Sequence, residues 1–337
     1  MTDTTTTETP RTESATSGPV ARTLRRIVGW DGFGLLLVFI ALYVALSLLA
    51  PDFLTAANQL SILQNAAFFG IVAFAMTLVI VSGEIDVSVG SMAALSSSLI
   101  GVFVMKQGIP MFIAVFLVLG IAAVIGAFAG AMRSYFGVPT FISTLALYLA
   151  LRGLAQLITS NFPIPIPAGD FFYWGSGRIL GIPVAAIYFV VIGLIVGLVA
   201  RRTVFGRSIY AVGGNAKAAG LSGIPVRRIK ILVMMISAIV AALTGLLQSA
   251  LLSSGNSTIA VGLEFDAIAA TIIGGAALTG GKGTIVGTSI GVLFIAALLN
   301  GMVLLNVNPY AQQVVRGVVV LIAVLVNVWR SRRSAIA

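Results

Sequence analysis

The chain contains no cysteine and no histidine in 337 residues. Those two absences remove disulfides, thiolate and imidazole metal sites, and histidine general bases at a stroke. No metal site is expected. Charge is scarce as well. Asp, Glu, Lys and Arg make up 9% of the sequence, against about 25% in a soluble domain. Apolar residues fill 59% of it, so an ordinary soluble protein is excluded. Acids are the scarcer charge, and the net charge is +10. In a soluble chain that balance would suggest nucleic acid. Here the cations lie in loops, where membrane topology and lipid headgroups account for them, so no nucleic-acid partner is expected.

A helical span needs about 20 apolar residues. Ten candidates follow, at about 33–50, 60–82, 87–105, 111–132, 139–160, 183–200, 231–253, 265–278, 285–305 and 311–329. The third and eighth adjoin polar, Gly-rich breaks, and the eighth is short. The predicted class is an all-α polytopic membrane protein, with one membrane domain over residues 33–330. Residues 1–32 read as a disordered tail, rich in Thr and Ser and then basic, with the first span an uncleaved anchor. Residues 331–337 read as a short basic tail.

Orientation follows from the cations. With the N-terminus inside, sixteen of the 20 Lys/Arg fall on the cytoplasmic side. Lys106 and Arg178 fall outside, and Arg152 and Arg316 lie in spans. Both termini are therefore expected in the cytoplasm. The spans also repeat loosely. Each half has an apolar span, a Gly-rich polar break (82–91 and 279–284) and further spans, with matched spans offset by five. An odd offset inverts the second copy across the membrane.

The largest hydrophilic interruption is 201–230, with seven Lys/Arg and no acid. It contains a compact helix signal: Asn215 as N-cap, helix formers from Ala216 to Ser222, and Gly223 as a stop. A short helix held between two spans, on the side where positive loops reside, suits docking onto a moving cytoplasmic partner. The opposite loop, 161–182, is rich in Pro and aromatics. Phe171, Phe172, Tyr173 and Trp174 suit the headgroup level, or contact with an external partner.

Several polar groups fall between or within spans. The break GEIDVSVG (83–90) carries Glu84, Asp86 and Ser88. Such a segment belongs at an interface or along a cavity, and Asp86 or Ser88 also suits a helix cap. Glu264 and Asp266 open the eighth span, where the helix dipole favours acids. Arg316 can snorkel, whereas Arg152 needs a carbonyl or an acid as partner. Gly280-Gly281-Lys282-Gly283-Thr284 looks like part of a phosphate loop. However, Gly283 follows the Lys where Ser or Thr is required, and Ala276 stands where Gly is required. The chain is not expected to bind or hydrolyse ATP, and no cofactor is expected on it. No span has a carboxylate near its centre, which argues against proton-coupled secondary transport.

Three segments together resemble one family: GEIDVSVGSMAALSS (83–97), GRSIYAVGGNAKAAGLSGI (206–224) and EFDAIAATIIGGAALTGGKGTIVGT (264–288). They look like the signature regions of permease subunits of ribose-type simple-sugar ABC importers. The resemblance implies a bacterial inner-membrane subunit paired with a second permease, identical or related. ATPase subunits carrying ATP and Mg would bind below, and an extracytoplasmic sugar-binding protein would dock above. It implies a coupling helix bearing Gly213, Asn215, Ala218, Ala219, Gly220, Leu221 and Gly223. Asp86, Ser88 and Gly90 match the first motif, in whose segment Glu84 also lies, and Glu264, Asp266, Gly280 and Gly281 fall in the third. One departure stands out: the family's usual Gly-Gly-Ile-Asp has Glu84 in place of its second Gly. By that comparison, Glu84→Gly is expected to be tolerated. Gln64, Asn65, Phe68 and Phe69 are candidates for lining the pathway, with core packing the other reading of the two phenylalanines. Nucleoside, branched-chain amino acid and furanosyl signalling substrates remain alternatives to sugar, and an independent secondary carrier the alternative mechanism.

Overall fold

The computed structural model describes residues 33–167 and 169–336; the tail expected at 1–32 lies outside the described residues. Thirteen α-helices make up most of the described residues. They are α1 (Phe33–Leu49), α2 (Ala56–Val81), α3 (Val89–Gly101), α4 (Met111–Phe136), α5 (Thr140–Thr159), α6 (Asp170–Ser176) and α7 (Val184–Arg202). They continue with α8 (Val204–Gly214), α9 (Ala216–Leu221), α10 (Val226–Leu252), α11 (Leu263–Ile273), α12 (Ile285–Leu304) and α13 (Pro309–Ile336). A π-helical stretch, Val102–Lys106, extends α3. Two short antiparallel pairings complete the order: Ile164–Pro165 with Ser254–Gly255, and Arg178–Ile179 with Ile182–Pro183.

Local sequence explains the boundaries. Thr55, Thr203, Asn215 and Thr284 each accept a hydrogen bond from a backbone N–H in the first turn of α2, α8, α9 and α12. Helices α4, α5, α7 and α10 start directly after Pro110, Pro139, Pro183 and Pro225. A proline there loses nothing, because N–H groups at a helix start have no partner inside the helix.

Eight helices are long and apolar enough to cross a membrane: α2, α3 with its extension, α4, α5, α7, α10, α12 and α13. Helix α1 is apolar but shorter. The protein is thus an all-α polytopic membrane protein. The eighth predicted span, 265–278, is corrected to α11. Its 11 residues reach only about 16 Å, half the hydrocarbon thickness of about 30 Å. The stretch 161–182 is also not all loop, since α6 forms within it.

Helix α2 is the axis of the molecule, apolar on every side and buried from Ala66 to Val81. It packs on α7, α10, α11 and α12. Glycines set the close approaches: Gly126 and Gly130 of α4 face the α10 backbone at Met234 and Ile231. Gly287 and Gly291 of α12 face Gly274, just past the end of α11, and Ala270 within it. These small-residue pairs serve packing within the chain.

The two halves run in opposite directions. Helix α2 descends to the end of the bundle where Val81 meets Gly213 and Gly281. The surrounding cations Arg133, Lys230 and Lys282 make this the basic end. Helix α10 starts there and climbs to the far end, where Ser254 joins the short strand pairing. Each is followed by a non-helical break and a further helix: 82–88 then α3, and 253–262 then the short α11. The second break is therefore 253–262, correcting the pairing of 82–91 with 279–284. The sequence pairing followed glycines, and the glycines of 279–284 have another use.

Candidate functional site

Two places gather the motif residues. The first is a junction at the basic end. Asn215 caps α9, accepting from Ala218 N at 3.0 Å. Gly223, at φ +83°, ends the helix, and Ile224 N returns to Ala219 O at 3.0 Å. The helix forms where the sequence predicts it. Ala219 is buried beneath it, while Lys217, Ala218, Gly220 and Leu221 face outward, Leu221 at 84% exposure.

Directly before α9, Gly213 lies in backbone contact with two other segments. A Cβ on it would overlap Val81 O and stand 2.7 Å from Gly281 N. Gly281 N in turn donates to Val81 O at 2.8 Å. Gly280 and Gly281 have φ of +85° and +75°, and a Cβ on Gly280 would stand 2.7 Å from Gly213 O and 3.1 Å from Gly83. Tyr210 Oη donates to Gly283 O at 2.8 Å. All three motif segments thus touch through bare backbone. That contact, and not a phosphate, is what the glycines of 280–281 serve.

Glu84 lies beside this junction and is 5% exposed. Its Oε1 accepts from Arg133 Nε at 2.9 Å and also from Lys230 Nζ, and its Oε2 accepts from Thr140 Oγ1 at 2.7 Å. Burial alone would raise its carboxyl, but the donors Lys230, Arg133 and Thr140 outweigh burial and hold it below the usual carboxylate range. One carboxylate therefore joins the ends of α4, α5 and α10. The expectation that Glu84→Gly is tolerated is reversed, because two cations would lose their partner. Sequence reading missed this node. Arg133 and Lys230 registered only as topology cations, and Thr140 not at all.

The second place lies where α3 and α11 begin. The first turns of α3 and α11 face each other. A Cβ on Gly90 would overlap Glu264 Oε2 and stand 2.7 Å from Ala260 O. Irregular backbone between membrane helices needs protein partners, and α5 supplies them to both breaks. Thr140 and Thr144 accept from Ile85 N and Val87 N at 3.3 and 3.1 Å. Arg152 donates to Ser257 O at 2.9 Å and Ile259 O at 2.7 Å, and reaches Ala260 O at 3.5 Å. These carbonyls are the partner that the sequence could not identify for Arg152. Asp86, 1% exposed, accepts from Ser88 N, Ser88 Oγ and Ser237 Oγ at 2.9, 2.6 and 2.8 Å. Asp266 pairs with Arg316 at 3.4 Å.

Glu264 differs from these. It is 0% exposed, and neither carboxylate oxygen has a side-chain hydrogen-bond partner. Ser91 Oγ, on the first turn of α3, is also buried without a partner.

The candidate lining residues are dispersed. Phe68 and Phe69 are buried in the core at 7% exposure, Gln64 donates to Gly175 O at 3.4 Å, and Asn65 is exposed. They do not adjoin the Gly90–Glu264 contact.

Broken helices that meet inside the bundle, in halves of opposite direction, are an architecture of membrane transport proteins. The chain belongs to the family described as branched-chain amino acid transport system / permease component, whose model matches residues 58–324. Similar proteins include the probable ABC transporter permease protein YphD of Escherichia coli (strain K12), 48% identical over 302 residues, covering 90% of this chain and 91% of that one. The ribose import permease protein RbsC of Bacillus subtilis (strain 168) is 40% identical over 312 residues, 91% and 97% of the two chains. The L-arabinose transport system permease protein AraH of Escherichia coli (strain K12) is 34% identical over 310 residues, 90% and 92%. No solved structure matches the chain.

Proposed function

We propose that this chain is the membrane subunit of a bacterial ABC importer that carries a simple sugar, a pentose, hexose or deoxy-sugar, across the inner membrane. An extracytoplasmic binding protein delivers the sugar. Separate ATPase subunits, holding ATP and Mg, supply the work, and a second permease subunit completes the pathway. The chain itself catalyses no reaction. The similarity to ribose and arabinose permeases supports the substrate class, and the positive-inside rule supports placing the basic end and both termini in the cytoplasm.

The observation that carries the reading is the wiring of α9. Its outer face presents an exposed leucine on a basic loop, and the backbone just before it touches the end of α2 and the turn before α12. Such a helix is a handle. Closure of the ATPase dimer displaces α9. Because Gly213, Val81 and Gly281 leave no slack, the displacement passes to α2 and α12 as a rigid tilt. The break that follows α2 and the turn that precedes α12 then move with them, and access alternates between the two faces.

Gly220→Trp tests this. The site has room, its nearest neighbour being Val226 Cγ2 at 3.8 Å from a Cβ. The variant is expected to insert normally and to lose ATPase co-purification and sugar uptake. Intact association with normal uptake would contradict the docking role. The family description favours one second reading, a branched-chain amino acid substrate; competition of uptake by leucine but by no sugar would select it.

A further inference from the structure

Four of the described carboxyl groups are buried: Glu84, Asp86, Glu264 and Asp266. Three of them have side-chain donors or a cation within reach. Glu264 alone has no side-chain donor on either oxygen in a fully buried place, and only backbone N–H groups of its own turn and the field of Arg152 reach it. It is not remote from function, since it opens α11 and is aimed at the first turn of α3, at Gly90. Both helices therefore point their N-terminal, partially positive ends at one spot. Ser91, on the same turn as Gly90, adds a buried hydroxyl without a partner.

A buried acceptor short of donors is costly to keep, and any state that brings hydroxyl donors to it is favoured. A carboxyl group offers acceptor lone pairs in either protonation state, so its complement is a set of hydroxyl groups. The surroundings narrow the choice. An anionic solute would meet Glu264 itself. A cationic one would meet two helix N-termini and the Arg152 guanidinium, which is fastened to the carbonyls just before α11. A neutral polyol meets neither objection.

Resting on the importer reading, we propose that the facing first turns of α3 and α11 are the solute-binding site inside this subunit, Glu264 accepting two hydroxyl groups of a neutral polyol and Ser91 supplying a further contact. With the turns in contact there is no space, because even a methyl at Gly90 overlaps Glu264. The tilt that parts α3 from α11 opens the site, and the return stroke of the turns expels the solute. Binding is thus restricted to part of the cycle.

The test uses the complex of this chain with its ATPase and binding protein in proteoliposomes, with labelled D-ribose and L-arabinose as probes. Glu264→Gln keeps the shape and exchanges one acceptor for a donor. The expected result is a complex that assembles, with sugar uptake lowered at least tenfold. Uptake within twofold of wild type overturns the proposal. Should the variant fail to assemble, wild type decides. Dicyclohexylcarbodiimide modification of Glu264, read by mass spectrometry, should slow at least fivefold when the transported sugar is saturating, and an unchanged rate overturns the proposal. A wild-type complex that accumulates neither sugar overturns the importer reading and this site with it. Normal transport by Glu264→Gln overturns the site alone.

Discussion

Glu84 and Glu264 are both buried glutamates at breaks between membrane helices, and they are opposites. Glu84 accepts from two cations and a threonine, whereas Glu264 accepts from no side chain. The first binds the ends of three helices together beside the junction that α9 enters. The second stands where the first turns of α3 and α11 touch, with no side-chain bond from Glu264 across the contact. A transporter driven from one end needs both kinds of contact: a stiff one that transmits displacement, and a weak one that the displacement can open. The difference lies in what each break meets. Residues 82–84 emerge among the cationic helix ends, and residues 260–264 lie where the nearest cation, Arg152, is already occupied by carbonyls.

Three substitutions probe that contrast. Glu84→Gly should have the largest effect on stability, because it strands Lys230 and Arg133. Breaking a buried pair by removing one partner costs about 3–5 kcal/mol, and thermal unfolding of the purified protein should fall accordingly; an unchanged midpoint would mean that the node is not structural. Gly90→Ala should come next. The added methyl overlaps Glu264 and must push α3 from α11, at a cost of about 1–3 kcal/mol for overpacking. It should also hold the two turns apart, read as faster carbodiimide modification of Glu264. Glu264→Gln should have the smallest effect, within about 1 kcal/mol, since no side-chain bond is lost. A loss as large as that of Glu84→Gly would erase the distinction.

Composition alone made the class legible, and the helix at Asn215–Gly223 was readable because capping and stop signals are local. The eighth predicted span, found as the short α11, was flagged by its length. The pairing of the breaks was not readable, because it depends on which segments α5 fastens. Thr140, Thr144 and Arg152 lie at four- and eight-residue steps along one helix, yet nothing local distinguishes them from other polar residues in an apolar run. Glu84 was misjudged for a related reason. Against the family motif it looked like a replaceable glycine, and its partners come from positions 49, 56 and 146 residues away. The emptiness of Glu264 is likewise a tertiary fact: the sequence reading offered a helix-dipole role, which explains an acid at that turn without revealing that its oxygens have no side-chain donors.

The central claim is that α9 lies in the cytoplasm and bears on an ATPase. The absence of native cysteine makes one measurement direct: Leu221→Cys with a membrane-impermeant maleimide. The account predicts no labelling in intact cells, labelling in inside-out vesicles, and protection there when the ATPase is bound. Labelling from outside intact cells, or equal labelling with and without the ATPase, would contradict it.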